Sequence, residues 1–232
     1  MLIPPEISGA AVVLLGHFNP SIFTPHWFGR YGVVSNREAD AANIVFVLPE
    51  MVSFKIGSMS ISVDRNRFSI ETFEAPWVSI LDFVTKTFGE VLPHTPIDKL
   101  GINRQIEFNV HSEEIRNRMG RSLAPLGPWG EWGRMIGKSP QQLRGGFANL
   151  VMQETWSDPP FRGYYQAHVK PSQTLGNRSI FMLVNHHCEK LETKPDDGAQ
   201  VIVNYLTKSF DGSLIHSEWI MDQIMKLADS SS

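Results

Sequence analysis

A long run of alternating apolar and polar residues constrains the fold of this chain more than any other feature. Between residues 54 and 73, large apolar side chains are interleaved with charged and hydroxyl-bearing ones. Because successive side chains of a strand point to opposite faces, this pattern buries one face and exposes the other. Turn sequences at Ile56-Gly57-Ser58 and Asp64-Arg65-Asn66 divide the run. We therefore predict an antiparallel meander over residues 43–73.

Helix and strand signals continue along the rest of the chain. Residues 76–91 and 198–227 repeat apolar side chains at helical spacing, and Asp211-Gly212 predicts a break in the second of these helices. Ser112, followed by two glutamates, is a favourable N-cap for a helix that ends near Leu123. Further strands are predicted at residues 100–111, 147–156, 163–170 and 179–188.

Together these elements indicate an α+β fold. No regular βαβ alternation is present, so we expect a mainly antiparallel sheet with amphipathic helices packed on one side. Hydrophobic residues make up 42% of the 232 residues, which is enough for a substantial core. We predict a single domain over residues 1–232. The order of elements suggests two similar halves, 1–124 and 147–232, joined by a Gly/Pro/Trp-rich loop at 125–146.

The composition bears on the cellular compartment of the protein and on the classes of molecule that it binds. The net charge is −3, so we expect no global attraction to nucleic acid or to anionic lipid. Cys188 is the one cysteine, which excludes an intramolecular disulfide and favours a reducing compartment. The sequence has neither a signal-peptide pattern nor an apolar run of about 18 residues. We therefore expect a cytoplasmic protein that does not enter a membrane and that carries no cofactor.

The loop at 125–146 is the strongest candidate for a functional segment. Loops longer than about 12–15 residues are uncommon in compact domains and are often functional. This one contains Trp129, Trp132, Arg134 and Met135, and tryptophan and arginine are enriched at interaction hot spots. Folding of both indole rings onto the sheet is the alternative, since large apolar rings are more often buried. We predict a partner-binding segment.

A binding role is the function that this pattern favours. No phosphate-binding loop and no nucleophile motif occurs in the chain. The C-terminal helix carries Trp219 on a second apolar stripe. We predict a non-enzymatic binding or assembly subunit of a cytoplasmic multiprotein system. Its contacts, with a protein partner or with a second copy of itself, involve the 125–146 loop and this helix.

Nucleic-acid binding is an alternative that the arginines support. Arg116, Arg121, Arg134 and Arg144 cluster in sequence around the two tryptophans of the loop. Arginines contact phosphates, and indole rings stack on unpaired bases. Nearby glutamates dilute this positive charge. Scattered, solvated arginines are the simpler interpretation of the cluster.

A metal-dependent enzyme is a further alternative. His186 and Cys188 lie on one face of a predicted strand, and His168 lies on the strand before it. If His168 paired opposite them, a His/His/Cys cluster would form. The sequence offers no fourth ligand nearby, and Cys188 is equally suited to an apolar core. We expect no metal at these residues.

Arg104 is an exception on an apolar strand face. It shares that face with Ile102, Ile106 and Phe108, so its guanidinium is expected to be buried. A buried charge needs a partner. We predict a structural pairing with a carboxylate, with anion binding as the alternative.

Three short pieces carry a resemblance to a known family. The segment Leu100-Gly101-Ile102-Asn103-Arg104, the run from Tyr205 to Phe210, and Trp219 resemble a sporadically distributed family of uncharacterised bacterial proteins. The resemblance implies a strand-rich core with C-terminal helices. It also implies a bacterial accessory protein that works within a multiprotein system. It assigns no catalytic residue.

Overall fold

A computed structural model describes residues 1–138, 147–192 and 198–229 of the chain. Within these residues nine strands form one antiparallel sheet. The strands are β1 (Ile7–Gly16), β2 (Asn43–Leu48), β3 (Met51–Ile56), β4 (Met59–Asp64), β5 (Arg67–Thr72), β6 (Ile97–Asn109), β7 (Leu150–Asp158), β8 (Phe161–Pro171) and β9 (Ser179–Lys190). The helices are α1 (Pro25–Arg30), α2 (Asn36–Asp40), α3 (Val78–Thr85), α4 (Glu113–Leu123), α5 (Gly130–Lys138) and α6 (Gln200–Met225).

The α+β prediction is confirmed, and the sheet repeats one arrangement twice. Its strand order is β2-β3-β4-β5-β1-β6-β9-β8-β7. In the first half, β1 lies at the centre and the meander β2–β5 returns to it from the edge before α3. In the second half, β6 lies at the centre and β7–β9 return to it in the same way before α6. Helix α3 continues into a π-helical segment, Lys86–Val91. The change from one half to the other falls between the end of this segment and the start of β6 at Ile97, upstream of residues 125–146.

The meander predicted from the alternation is present in the first half. Strands β3, β4 and β5 are joined by tight turns at the two predicted positions, and Asp64 accepts hydrogen bonds from the backbone N–H groups of Asn66 and Arg67.

One row of directly paired residues crosses the helix-covered face of the whole sheet. From β2 to β7 it consists of Ile44, Phe54, Ile61, Ile70, Val12, Ile102, His186, Tyr165 and Glu154.

Helix α6 is continuous, so the predicted break at Asp211-Gly212 is wrong. A glycine inside a helix costs only about 1 kcal/mol relative to alanine. Burial of Phe210, Leu214 and Met221 against the sheet outweighs that cost. No helix in the described parts of the chain is long and apolar enough to cross a membrane.

Arg104 forms the structural pairing with a carboxylate that the sequence predicts, and its contacts also join the two halves of the sheet. It is buried, and its Nε lies 2.9 Å from a carboxylate oxygen of Glu218 on α6. The guanidinium also donates to the carbonyl of Gly9 and to the hydroxyl of Ser8 on β1. It lies 4.9 Å from the ring centre of Trp77. The buried charge is therefore satisfied by groups from both halves.

Candidate protein-interaction surface

The segment predicted as a loop at 125–146 contains a helix. A 3₁₀ turn at Gly127–Trp129 leads directly into α5, and residues 139–146 lie outside the described residues. Glycine punctuation favours a loop by propensity, but here one glycine, Gly133, serves packing inside the helix. A Cβ on Gly133 would lie 2.1 Å from the carbonyl oxygen of Leu126, so only glycine allows α5 to fold back on the turn. Gly130 at the junction has a φ of 57°, which favours glycine.

Three large apolar side chains of this turn–helix unit are exposed. Trp129 and Trp132 are each 57% exposed, and Met135 is 64% exposed. The two indole rings meet edge to face with their centres 5.3 Å apart. Trp132 and Met135 are three residues apart in α5, so they are neighbours on the helix surface. We call these three residues the α5 stripe.

Arg134 flanks the α5 stripe and forms an ion pair within the helix. Its guanidinium lies 2.6 Å from the carboxylate of Glu131, three residues earlier, and both side chains are exposed. An exposed pair of this kind contributes little to stability. It does leave the rim of the stripe polar and nearly neutral in charge.

A second exposed apolar patch lies on α6, as the sequence predicts for Trp219. Trp219 is 56% exposed, and the neighbouring Ile215 is also exposed. The indole stacks on the ring of His216, with centres 5.4 Å apart, and His216 contacts the ring of Tyr165 on β8. Trp219 is thus held in place from below while its outer side remains open. We call Ile215 and Trp219 the α6 patch.

Among the arginines of the alternative nucleic-acid surface, Arg116 is not available to contact a phosphate. Arg116 is only 2% exposed, and its guanidinium bonds to Glu113 and Asn117 within α4. Arg121 is exposed, and Arg134 pairs with Glu131. Arg144 lies outside the described residues. The inclusion of Arg116 is therefore wrong, because its position on α4 faces the interior and its charge is used there.

The His/His/Cys cluster considered as an alternative does not form. His168 pairs with Leu183 on β9, on the face of the sheet opposite to that of His186 and Cys188. Side chains alternate along a strand, so the register excludes a shared metal. Within residues 1–138, 147–192 and 198–229, no group of three or more His, Cys, Asp or Glu side chains could hold a metal ion.

His186 instead belongs to a buried hydrogen-bond network under α6. The hydroxyl of Ser213 donates to the carbonyl of Ser209, so its oxygen is left to accept from Nδ1–H of His186 at 2.5 Å. Nε2 of His186 then accepts from the hydroxyl of Tyr205 at 3.4 Å. The imidazole also stacks on Tyr165, with ring centres 4.2 Å apart. Every polar atom of the imidazole has a partner in its neutral form.

Burial sets the protonation of this network. It lowers the pKa of His186 to about 4, with smaller contributions from His216 and His187, so the imidazole is neutral at physiological pH. Burial also raises the pKa of Cys188 to about 12, so this thiol keeps its proton and is not an activated nucleophile. The same cause raises the pKa of Tyr205. The network is therefore uncharged at physiological pH.

Sequence reasoning missed this network because its members come from distant elements. Ser209, Ser213 and Ser217 recur every four residues, and each hydroxyl donates to the carbonyl four residues earlier. That spacing is a readable signal of a polar stripe on α6. It does not reveal that the stripe faces His186, which depends on how the helix lies on the sheet.

Comparisons with known proteins add no assignment. No protein-family model matches this sequence, and no curated protein matches it. The resemblance to a sporadically distributed bacterial family therefore stays a prediction.

Proposed function

We propose that this protein is a non-enzymatic binding or assembly subunit that docks to a partner protein through the α5 stripe. The observation that carries the proposal is the exposure of Trp129, Trp132 and Met135 together on one short turn–helix unit. Large exposed apolar groups cost free energy in water, and contiguous ones mark interaction surfaces. Tryptophan and methionine are also enriched at interface cores.

The unit is suited to binding because it is ordered before the partner arrives. Gly133 allows the helix to pack closely on Leu126, and the edge-to-face contact restrains both indole rings. A rigid, pre-formed anchor loses little conformational entropy on binding. We expect the partner to offer an apolar groove that accepts a helix through anchors at three-residue spacing.

The α6 patch is proposed as a second, smaller contact. Ile215 and Trp219 lie one helical turn apart and are both exposed. A protein that uses both surfaces would bridge two positions of a larger assembly. A cytoplasmic location fits this role, since the single buried cysteine needs no oxidising compartment.

The test compares a variant of the stripe with a matched variant elsewhere. Trp129→Ala/Trp132→Ala removes both anchors, whereas Tyr31→Ala removes an exposed aromatic ring on the connection after α1. Tagged wild type and both variants are used to capture partners from the native cell, with nuclease treatment in one arm. The partner's affinity for each is then measured with purified proteins.

We expect the melting temperature of the double variant to stay close to that of wild type, because both indoles are more than half exposed. Its affinity for the captured partner should fall by about 30-fold or more, since truncating a hot spot costs about 2 kcal/mol. Tyr31→Ala should bind normally. Equal affinity of all three proteins would overturn the proposal, as would loss of capture after nuclease treatment.

A further inference from the structure

The edge strand β2 is unusual because it is exposed and apolar on both of its faces. Ile44, Val45, Val47 and Leu48 are 51–59% exposed, although β3 pairs with β2 along its inner side. The outer side has no strand neighbour among the described residues. A long apolar edge is a template for pairing with another strand.

The edge also lacks the charges that usually prevent such pairing. No charged residue occurs between Asp40 and Glu50. The opposite edge of the sheet, β7, carries Glu154 and Asp158 within the strand. Natural edges are protected by inserted charges, and only β7 follows that rule. Moreover, β2 has no counterpart in the second half, which ends one strand earlier.

The register of β2 places two of its exposed residues on the core face. Ile44 lies opposite Phe54 and Val47 lies opposite Val52, and both partners on β3 are fully buried on the helix-covered face. A bulge between Ile44 and Phe46 makes this possible, because residues three apart on a regular strand face opposite ways. The two rows of buried apolar residues that contain Phe54 and Val52 therefore end at exposed residues of β2.

From these observations we infer that two copies of this chain associate by pairing their β2 strands antiparallel about a two-fold axis. In that arrangement Ile44 of one copy lies opposite Val47 of the second copy, and the reverse holds on the other side of the axis. Directly opposed residues share a face, so both contacts continue the buried rows across the interface. No like charges meet, because neither strand carries a charge. The result is one continuous sheet.

The experiment measures molecular mass by sedimentation over a wide range of protein concentrations. Wild type is compared with Val47→Lys, with Ile44→Glu and with Val151→Lys, which places a lysine on the other edge strand. The three replaced side chains are all exposed in one copy, so each variant should fold. Circular dichroism and thermal unfolding verify this, and Val45→Lys replaces any variant that unfolds early.

We expect wild type and Val151→Lys to dimerise and each single β2 variant to be monomeric. An equal mixture of Val47→Lys and Ile44→Glu should regain dimers, because the introduced lysine of one copy then lies opposite the introduced glutamate of the other. Trp129→Ala/Trp132→Ala should dimerise like wild type, which separates this inference from the proposed function. A monomeric wild type, a β2 variant that still dimerises, or a mixture that stays monomeric would each overturn the inference.

Discussion

Around α3 the first half of the sheet is filled with phenylalanine rings, whereas beneath α6 the second half contains a histidine bonded to tyrosine and serine hydroxyls. Phe28 and Phe83 have ring centres 4.7 Å apart, and Phe68 and Phe88 have centres 4.9 Å apart. In the second half His186 takes the place that apolar residues occupy along the same row. The two halves share an order of strands and a closing helix, yet the first has an apolar, aromatic interior, whereas the second combines an apolar cluster with a buried polar network. We call them the aromatic half and the polar half.

The shared strand order sets where the buried positions lie in each half. The side chains of the closing helix set whether apolar or hydrogen-bonding residues suit those positions. Helix α3 offers Ile80, Phe83 and Val84 to the sheet, so apolar residues suit the strands below it. Helix α6 offers hydroxyls at Ser209 and Ser213, so a hydrogen-bonding ring is accommodated there. A buried polar group is tolerated only where partners satisfy it.

The largest loss of stability should come from truncating a buried ring in the aromatic half. Phe68→Ala removes a fully buried ring that contacts Phe18, Phe23, Phe83 and Phe88. We expect the free energy of unfolding to fall by about 3–5 kcal/mol, because lost burial and a residual cavity add together. Urea denaturation measures this loss. The control is Phe73→Ala, whose ring is half exposed and should cost far less; equal losses for the two variants would contradict the comparison.

The polar half should respond to pH where the aromatic half does not. The pKa of His186 falls from 6.5 to about 4 on folding, so the unfolded state binds more protons between these values. Its contribution to stability is fully present above pH 6.5 and is lost as the pH falls through 4. The loss amounts to about 3 kcal/mol.

His186→Gln tests this pH dependence, because glutamine keeps a hydrogen-bonding side chain but does not titrate. Urea unfolding of this variant between pH 7 and pH 4 should show a flatter pH dependence than wild type. The control is His187→Gln, which removes a neighbouring histidine whose pKa burial also lowers, while His186 keeps the largest part of its pKa shift, which its own burial causes. The same slope in wild type and His186→Gln would show that His186 is not the group responsible.

The smallest effect concerns the closing helix of the polar half. Gly212 lies within α6, and a Cβ added there would have no heavy atom within 4 Å beyond the helix's own nearby backbone. We expect Gly212→Ala to stabilise the protein by about 0.5–1 kcal/mol through helix propensity. Thermal unfolding measures the gain. Gly133→Ala in α5 should do the reverse because of the carbonyl of Leu126, and a loss at Gly212 would instead indicate a strained helix.

Much of the fold could be predicted from local patterns. Alternation gave the strands of the meander, and Ser112 does cap α4 by accepting from the backbone N–H of Ile115. Glycine led to two wrong predictions, a break in α6 at Gly212 and a loop where α5 forms. Its cost in helix propensity is small compared with the free energy gained from packing. For the candidate site, both tryptophans are exposed, as a partner-binding segment requires, and their role in binding stays a prediction. The helix that holds them was not predicted.

The sequence by itself determined which residues face a core, since the two-residue and 3.6-residue periods are local properties of the chain. It also determined that Arg104 needs a partner, because a charge on an apolar face cannot be left alone. Only the tertiary structure decided that the partner is Glu218, that His168 and His186 lie on opposite faces, and that both indoles of the α5 stripe point outward. These facts depend on strand register and on the packing of distant segments, and no local pattern encodes either.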